Sequence, residues 1–253
     1  MTGVQLTNGV KAGWLVAGAV YVICLLVYAC ERSPEQVSTP RSATVQVSRE
    51  AARAGEPALR PTRDERPVIV AFGNSLTAGL GVPIEESYPA QLQRRLDQLG
   101  YRYRVVNAGV SGDTTAGAVR RVDWVLNSKP SIVIVEFGGN DGLRGLDLAQ
   151  TRANLDQVIH RLKGAGVTVV LAGMKLPPNY GKEYATRFQD LYPELARTYG
   201  VTLIPFFLEG VAATASLNQA DGIHPTGEGY RVIVESLVTT LKPLLTKPSP
   251  ARS

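Results

Sequence analysis

Cysteine is almost missing: the 253 residues hold two, Cys24 and Cys30, both inside an apolar stretch near the start. From Glu31 onward no thiol is available to form a disulfide or bind a metal, so the rest of the chain must be held by its own core. That suits an oxidising compartment without requiring one. Histidine is nearly as scarce, with only His160 and His224. No His/Cys/Asp/Glu cluster has the spacing of a zinc site, so no metal is expected, and no cofactor is expected either. One-signed charge is also lacking. The 27 Lys and Arg against 22 Asp and Glu leave +5, with no run of five like charges, which argues against a nucleic-acid partner. Internal repeats are absent. With 44% hydrophobic and 19% charged residues, the chain supports one main domain with an appendage rather than two large domains. A monomer is expected.

In one stretch charge is missing altogether. Ala12 to Cys30, AGWLVAGAVYVICLLVYAC, runs for 19 residues without a charged side chain, close to the ~20 needed to cross the hydrocarbon core of a bilayer. Lys11 and the amino terminus form its positive flank, so the positive-inside rule keeps the first residues cytoplasmic and sends the remainder outward. Residues 1–30 are therefore expected to be a signal anchor or a cleaved signal peptide. A third reading is a lipoprotein segment lipidated at Cys30, because Val27-Tyr28-Ala29-Cys30 resembles a bacterial lipobox with an unusual Tyr28. A buried core helix would need protein on every side. Residues 31–66 mix Pro, Ser, Arg and Glu, with seven Arg against six acidic residues, and read as a near-neutral flexible linker. Residues 247–253, KPSPARS, read as a frayed tail. This leaves 67–246 as the folded domain, expected to face the periplasm or exterior and to be joined to a membrane by its N-terminal segment.

Within that domain short apolar runs alternate with helical patterns, which predicts βα units around a mainly parallel sheet. Strands are expected at Val68 to Phe72, Tyr103 to Asn107, Ile132 to Phe137, Val167 to Ala172 and Val201 to Phe206. The third and fourth are nearly continuous β-branched runs, as helices on both faces would require. Helices are expected at Tyr88 to Leu99, Thr115 to Asn127, Leu148 to Lys163, Glu183 to Tyr199 and Glu228 to Leu244. Gly100, Gly164 and Gly200 suit their C-caps. The layout is a three-layer α/β/α sandwich with a five-stranded, flavodoxin-like sheet, its ligand crevice at the carboxyl ends of the strands.

Four segments fall at that crevice. Phe72-Gly73-Asn74-Ser75-Leu76 follows the first strand and places Ser75 where the chain turns into a helix; by itself this could equally be a phosphate-binding loop. It is not a G-x-S-x-G elbow, since Thr77 stands two residues after Ser75. Asp221-Gly222-Ile223-His224-Pro225 precedes the last helix and offers a base with a carboxylate three residues earlier that can hold its Nδ1. A polar helix-capping turn is the plainer reading. His160 sits inside a helical pattern beside Arg161, where an exposed imidazole is ordinary. Asn107-Ala108-Gly109-Val110-Ser111-Gly112-Asp113-Thr114 and Glu136-Phe137-Gly138-Gly139-Asn140-Asp141-Gly142 end the second and third strands. A glycine amide and an Asn side chain are suitable neutral donors for an oxyanion, although either segment could simply be a turn.

In order and position these segments resemble the four signature blocks of the SGNH (GDSL-type) hydrolases, over roughly Pro67 to Leu245. The bacterial lysophospholipase/acyl-thioesterase/arylesterase branch is the most similar, through Ser111-Gly112-Asp113-Thr114, Glu136 to Gly145, Leu176-Pro177-Pro178-Asn179-Tyr180-Gly181 and Asp221 to Pro225. The resemblance implies a serine ester hydrolase with Ser75 as nucleophile, His224 as base and Asp221 as its partner. The Ser75 amide, the Gly112 amide and the Asn140 side chain would form the oxyanion hole. Leu176, Pro177 and Tyr180 would contact the substrate, an aryl or short-to-medium acyl ester, a lysophospholipid or an acyl thioester. Asp113 and Asp141 are expected to fix their loops. One residue departs from the pattern: the family's first block is usually Gly-Asp-Ser-Leu, and here Asn74 stands in place of the Asp. Carbohydrate O-deacetylation, acyl transfer and a non-enzymatic phosphate- or nucleotide-binding module are the alternatives.

Overall fold

The computed structural model describes residues 64–247; the readings of residues 1–63 and 248–253 lie outside the described residues. Five strands, β1 (Val68–Gly73), β2 (Arg104–Gly109), β3 (Ile132–Glu136), β4 (Thr168–Ala172) and β5 (Thr202–Ile204), form one sheet in the order β2-β1-β3-β4-β5. Every pairing is parallel. All of β1 and β3 is buried, which is why their sequences do not alternate: both faces are covered. The register sets Gly73 abreast of Gly109 on one side and Glu136 on the other. The ends of three strands therefore meet at the same edge.

Seven α-helices occur among the described residues: α1 (Ser75–Ala78), α2 (Tyr88–Gln98), α3 (Thr115–Asn127), α4 (Gly139–Leu143), α5 (Leu148–Gly164), α6 (Lys182–Tyr199) and α7 (Gly227–Leu241). Helix α2 packs with α7 on one face, and α3, α5 and α6 pack on the other, giving the expected three layers. Their buried residues keep helical spacing, as with Leu92 and Leu96 of α2 and Ile233, Leu237 and Leu241 of α7. Each such fully buried aliphatic side chain contributes about 1.5–3 kcal/mol relative to exposure.

The departures from expectation have local causes. Strand β5 stops at Ile204, because Pro205 follows and has no N–H for the ladder. Helix α5 runs through Gly164 to an Ala165 cap, and Gly166 takes the left-handed position, at φ 76°. Helix α7 ends at Leu241 and tightens into one 3₁₀ turn containing Pro243. The segments after β1 and β3, expected as loops, each contain a short helix, α1 and α4. Among the described residues no helix is long and apolar enough to cross a membrane, and no group of three or more His, Cys, Asp or Glu side chains is placed to hold a metal.

Candidate active site

Ser75 opens α1 directly after β1 and is buried. Asn74 caps the helix, its side-chain oxygen accepting from the Leu76 N–H at 3.0 Å. An amide in the first turn of a helix has no intrahelical acceptor, so the Ser75 N–H can serve an external oxygen. The turn is pinned from below by Glu136, at the end of β3. This fully buried carboxylate accepts from Asn74 Nδ2 at 2.8 Å, the Asn74 N–H at 3.2 Å and the Thr77 hydroxyl at 2.8 Å. A Cβ on Gly73 would overlap both Thr77 Oγ1 and the Glu136 carboxylate, so the close approach of β1 to this network requires glycine. Burial pushes the Glu136 carboxyl up to about 8, against the lowering effect of its three donors.

His224 reaches the same edge from the loop before α7. That loop is closed by an antiparallel bridge between Asn218 and Pro225, by Gln219 N–H to the His224 carbonyl at 2.8 Å, and by Gln219 Nε2 to the Leu80 and Pro225 carbonyls at 2.7 and 2.9 Å. The ring lies with Nε2 2.8 Å from Ser75 Oγ and Nδ1 2.6 Å from Asp221 Oδ2. The other Asp221 oxygen accepts from the Ile223 and His224 N–H groups at 2.9 and 3.0 Å. These backbone bonds, with the imidazole, hold the Asp221 carboxyl down at about 2. Asp221 therefore stays ionised through the range of ester assays, and an acid limb of activity above about pH 4 belongs to another group. His160 is exposed on α5, away from these partners.

The other two segments converge from β2 and β3. Gly112 adopts a left-handed φ of 82°, a conformation that favours glycine. The Asn140 side chain, in the first turn of α4, donates through Nδ2 to the Asp113 carbonyl at 2.7 Å, which joins the two candidate donors into one assembly and leaves a second amide hydrogen for a ligand. Both neighbouring carboxylates act as struts. Asp141 accepts from the Thr115 N–H at 3.0 Å and the Thr115 hydroxyl at 2.5 Å, and Asp113 accepts from Arg121 Nε at 2.7 Å. Arg121 also donates to the Ala108 and Gly73 carbonyls at 2.9 and 3.1 Å and lies over the Phe72 ring. Arg144 Nη2 donates to the Gly112 carbonyl at 3.0 Å.

Beside Ser75 lies an apolar cavity of about 450 Å³, lined among others by Leu76, Leu143, Leu176, Pro177, Phe206 and Ile223. Leu176 and Pro177, expected to contact the substrate, are among its lining residues. Tyr180 is not among the lining residues; its hydroxyl donates to the Leu143 carbonyl at 3.0 Å and so braces the wall from outside. Lys175 lies at the mouth, with its ammonium 4.8 Å from the Phe206 ring centre and 3.7 Å from the Glu209 carboxylate. Sequence reasoning missed Glu136, Thr77 and Arg121. The signal for Glu136 was an acidic residue closing an otherwise apolar β-branched run.

Comparison with known proteins follows the same segments. Residues 71–232 match the model of the GDSL-like lipase/acylhydrolase family. The chain is 44% identical over 178 residues to an esterase of Pseudomonas aeruginosa, TesA, a match covering 70% of this chain and 89% of that one. It is 37% identical over 178 residues to thioesterase 1/protease 1/lysophospholipase L1 of Escherichia coli K12, over 70% of this chain and 84% of that one. The crystal structure of AlinE4, described as an SGNH-hydrolase family esterase, superposes with a TM-score of 0.61 at 46% identity, covering 71% of this chain and 95% of that one.

Proposed function

The chain belongs to the GDSL-like lipase/acylhydrolase family and is a carboxylic ester hydrolase, and on that premise we propose that Ser75 is its nucleophile, His224 the general base and Asp221 the carboxylate that orients the base. The single observation that carries this reading is the continuous line from Ser75 Oγ through the imidazole to Asp221, at 2.8 and 2.6 Å. An ionised Asp221 holds the proton on Nδ1 and leaves the Nε2 lone pair for the serine hydroxyl. As Ser75 Oγ bonds to the ester carbonyl carbon, its proton passes to Nε2, and the carbonyl oxygen becomes an oxyanion. The amides of Ser75 and Gly112 and the Asn140 side chain donate to that oxygen. His224 then protonates the departing alkoxide, and water activated by the same imidazole releases the acid from the acyl-enzyme. A fluorophosphonate probe tests the reading: it should label Ser75 covalently and fail on Ser75→Ala, and labelling elsewhere with Ser75 untouched would overturn it.

The apolar cavity supports acyl esters of medium length as substrates. Filling it from its exposed side with Ala212→Trp should lower kcat/KM for octanoyl esters about tenfold relative to acetyl esters, because each lost methylene contact in an apolar pocket is worth roughly 1–3 kcal/mol. Equal loss on both chain lengths would place the acyl group elsewhere.

Lipid-derived esters are favoured by a second feature. Leu80, Ile84, Val110, Leu146 and Ile223 are exposed, and each lies between a strand and the next long helix of the chain, α2, α3, α5 or α7, as Ser75 does. The uncharged run of 19 residues before Cys30 and the linker of 31–66 suit an enzyme held at the outer side of a membrane, the linker spanning roughly 30–36 Å on average. The mass of the mature N-terminus separates the versions: a signal anchor retains Met1 or Thr2, whereas a lipoprotein begins at an acylated Cys30. Cys30→Ser should leave an anchored protein in the membrane fraction and block maturation of a lipoprotein. Native protein found in the soluble fraction with residues 1–30 attached would defeat both.

A further inference from the structure

We propose that Asn74 and Glu136 form a single positioning unit for the nucleophile, in which Asn74 supplies as a permanent N–H the hydrogen that an Asp at that place could supply only while the pair retained a proton. The proposal deepens the Ser75 reading and rests on it.

The orientation of the amide is fixed by its two ends. Oδ1 accepts from the Leu76 N–H at 3.0 Å, which turns Nδ2 toward Glu136 Oε1 at 2.8 Å. Glu136 Oε2 takes the remaining donors, the Asn74 N–H and the Thr77 hydroxyl. Ser75 Oγ lies 3.5 Å from the Asn74 oxygen, so any rotation of the Asn74 side chain is felt at the attacking atom. Among the described residues no other side chain bonds the Asn74 amide nitrogen.

This arrangement tolerates either protonation state of Glu136. Ionised, the carboxylate accepts all three donors. Protonated, it keeps the two Asn74 donors and passes its own hydrogen to Thr77 Oγ1, whose hydroxyl then turns to Tyr88 Oη at 3.2 Å. Burial already pushes the Glu136 carboxyl up to about 8, so both states fall within the working range of an esterase. The other ionisable groups around it do not compete. Tyr88 of α2, Tyr192 of α6 and Tyr230 of α7 have phenols raised above their ordinary range, chiefly by burial, and stay neutral. Arg121 of α3 is committed to the Gly73 and Ala108 carbonyls and to Asp113. Asp221 and His224 are committed to one another.

With an aspartate at position 74, two carboxyl groups would face each other at hydrogen-bond distance. One shared proton would hold them together, and loss of that proton would leave two buried anions with no hydrogen between them. The Ser75 turn would then open at alkaline pH. Adding Glu136→Gln to Asn74→Asp reverses the pair, and the reversed pair needs no such proton. The carboxamide oxygen introduced at position 136 can take the backbone N–H of residue 74 and the Thr77 hydroxyl. Its NH2 group donates to the carboxylate introduced at position 74, whose second oxygen still accepts from the Leu76 N–H. Every hydrogen bond is conserved and only the charge moves.

The experiment compares full-length wild type, Asn74→Asp and the double variant Asn74→Asp/Glu136→Gln, each normalised to its own kcat at about pH 6.5 and read again at about pH 9.5. The normalised kcat of Asn74→Asp should fall about tenfold or more below wild type at the alkaline pH, with KM little changed, and the double variant should return to within about threefold of wild type. Superposable profiles for wild type and Asn74→Asp overturn the proposal. So does a double variant that retains the alkaline loss. If Asn74→Asp does not fold, a folded and active double variant supports the unit, and failure of both overturns it. Ser75→Ala, run alongside, separates the two readings: retained turnover there defeats the nucleophile assignment, whereas lost turnover with superposable profiles defeats only the Asn74–Glu136 unit.

Discussion

Replacing Ser75 by Ala, or His224 by Ala, is expected to lower ester turnover by about a thousandfold or more while the protein stays folded. Neither side chain supports the core: Ser75 is small and stands at the crevice, and among the described residues the His224 ring bonds only Ser75 and Asp221. The two losses should not multiply, because a serine without its base and a base without its serine disable the same step. Thermal unfolding measured beside kcat/KM checks the assignment, and near wild-type turnover in either folded variant would remove it. Asp221→Ala should cost less, since the carboxylate orients the ring and stabilises the imidazolium without taking its proton.

The parts of the fold legible in the sequence were those in which one physical cause dominates. Ile132 to Glu136 is covered on both faces and reads as a β-branched run. Helix α3 has the bounds its periodicity predicts, Thr115–Asn127. Helices α1 and α4 were not legible, because four or five residues cannot display a period of 3.6. They exist through caps and long-range bonds: Asn74 on the Leu76 amide, Gly138 at a left-handed φ of 101°, and Asp141 on Thr115.

The candidate site divides in the same way. Only two histidines exist, and one lies inside a helical pattern, so His224 could be singled out beside Asp221. The scaffold that aims Ser75 was not visible, because its members are distant in sequence: Asn74 and Glu136 are 62 residues apart, and Asn140 and Asp113 are 27 apart. Strand register sets Glu136 abreast of Gly73, and register is a property of the assembled sheet. An acidic residue at the end of a run such as IVIVEF is nevertheless a usable sign, since a carboxyl group is rarely buried without partners.

Asn140→Ala is expected to lower kcat by roughly a hundred- to a thousandfold with little change in KM. The reason lies in what the Asn140 amide already does. One hydrogen is held by the Asp113 carbonyl at 2.7 Å, which leaves the second for the carbonyl oxygen of a Ser75-bound substrate in the proposed oxyanion hole. A neutral ester oxygen gains little from that donor, whereas the full charge of the tetrahedral intermediate gains much more, so its removal is felt in the chemical step. Asn140→Asp likewise removes the donor to the Asp113 carbonyl together with the donor to the oxyanion, and adds a charge. An ionised carboxylate there would repel both the Asp113 carbonyl and the oxyanion, so kcat should fall at least as far as in the alanine variant. A raised KM with kcat preserved in Asn140→Ala would instead assign the side chain to holding the substrate, and would leave the oxyanion to the two backbone amides.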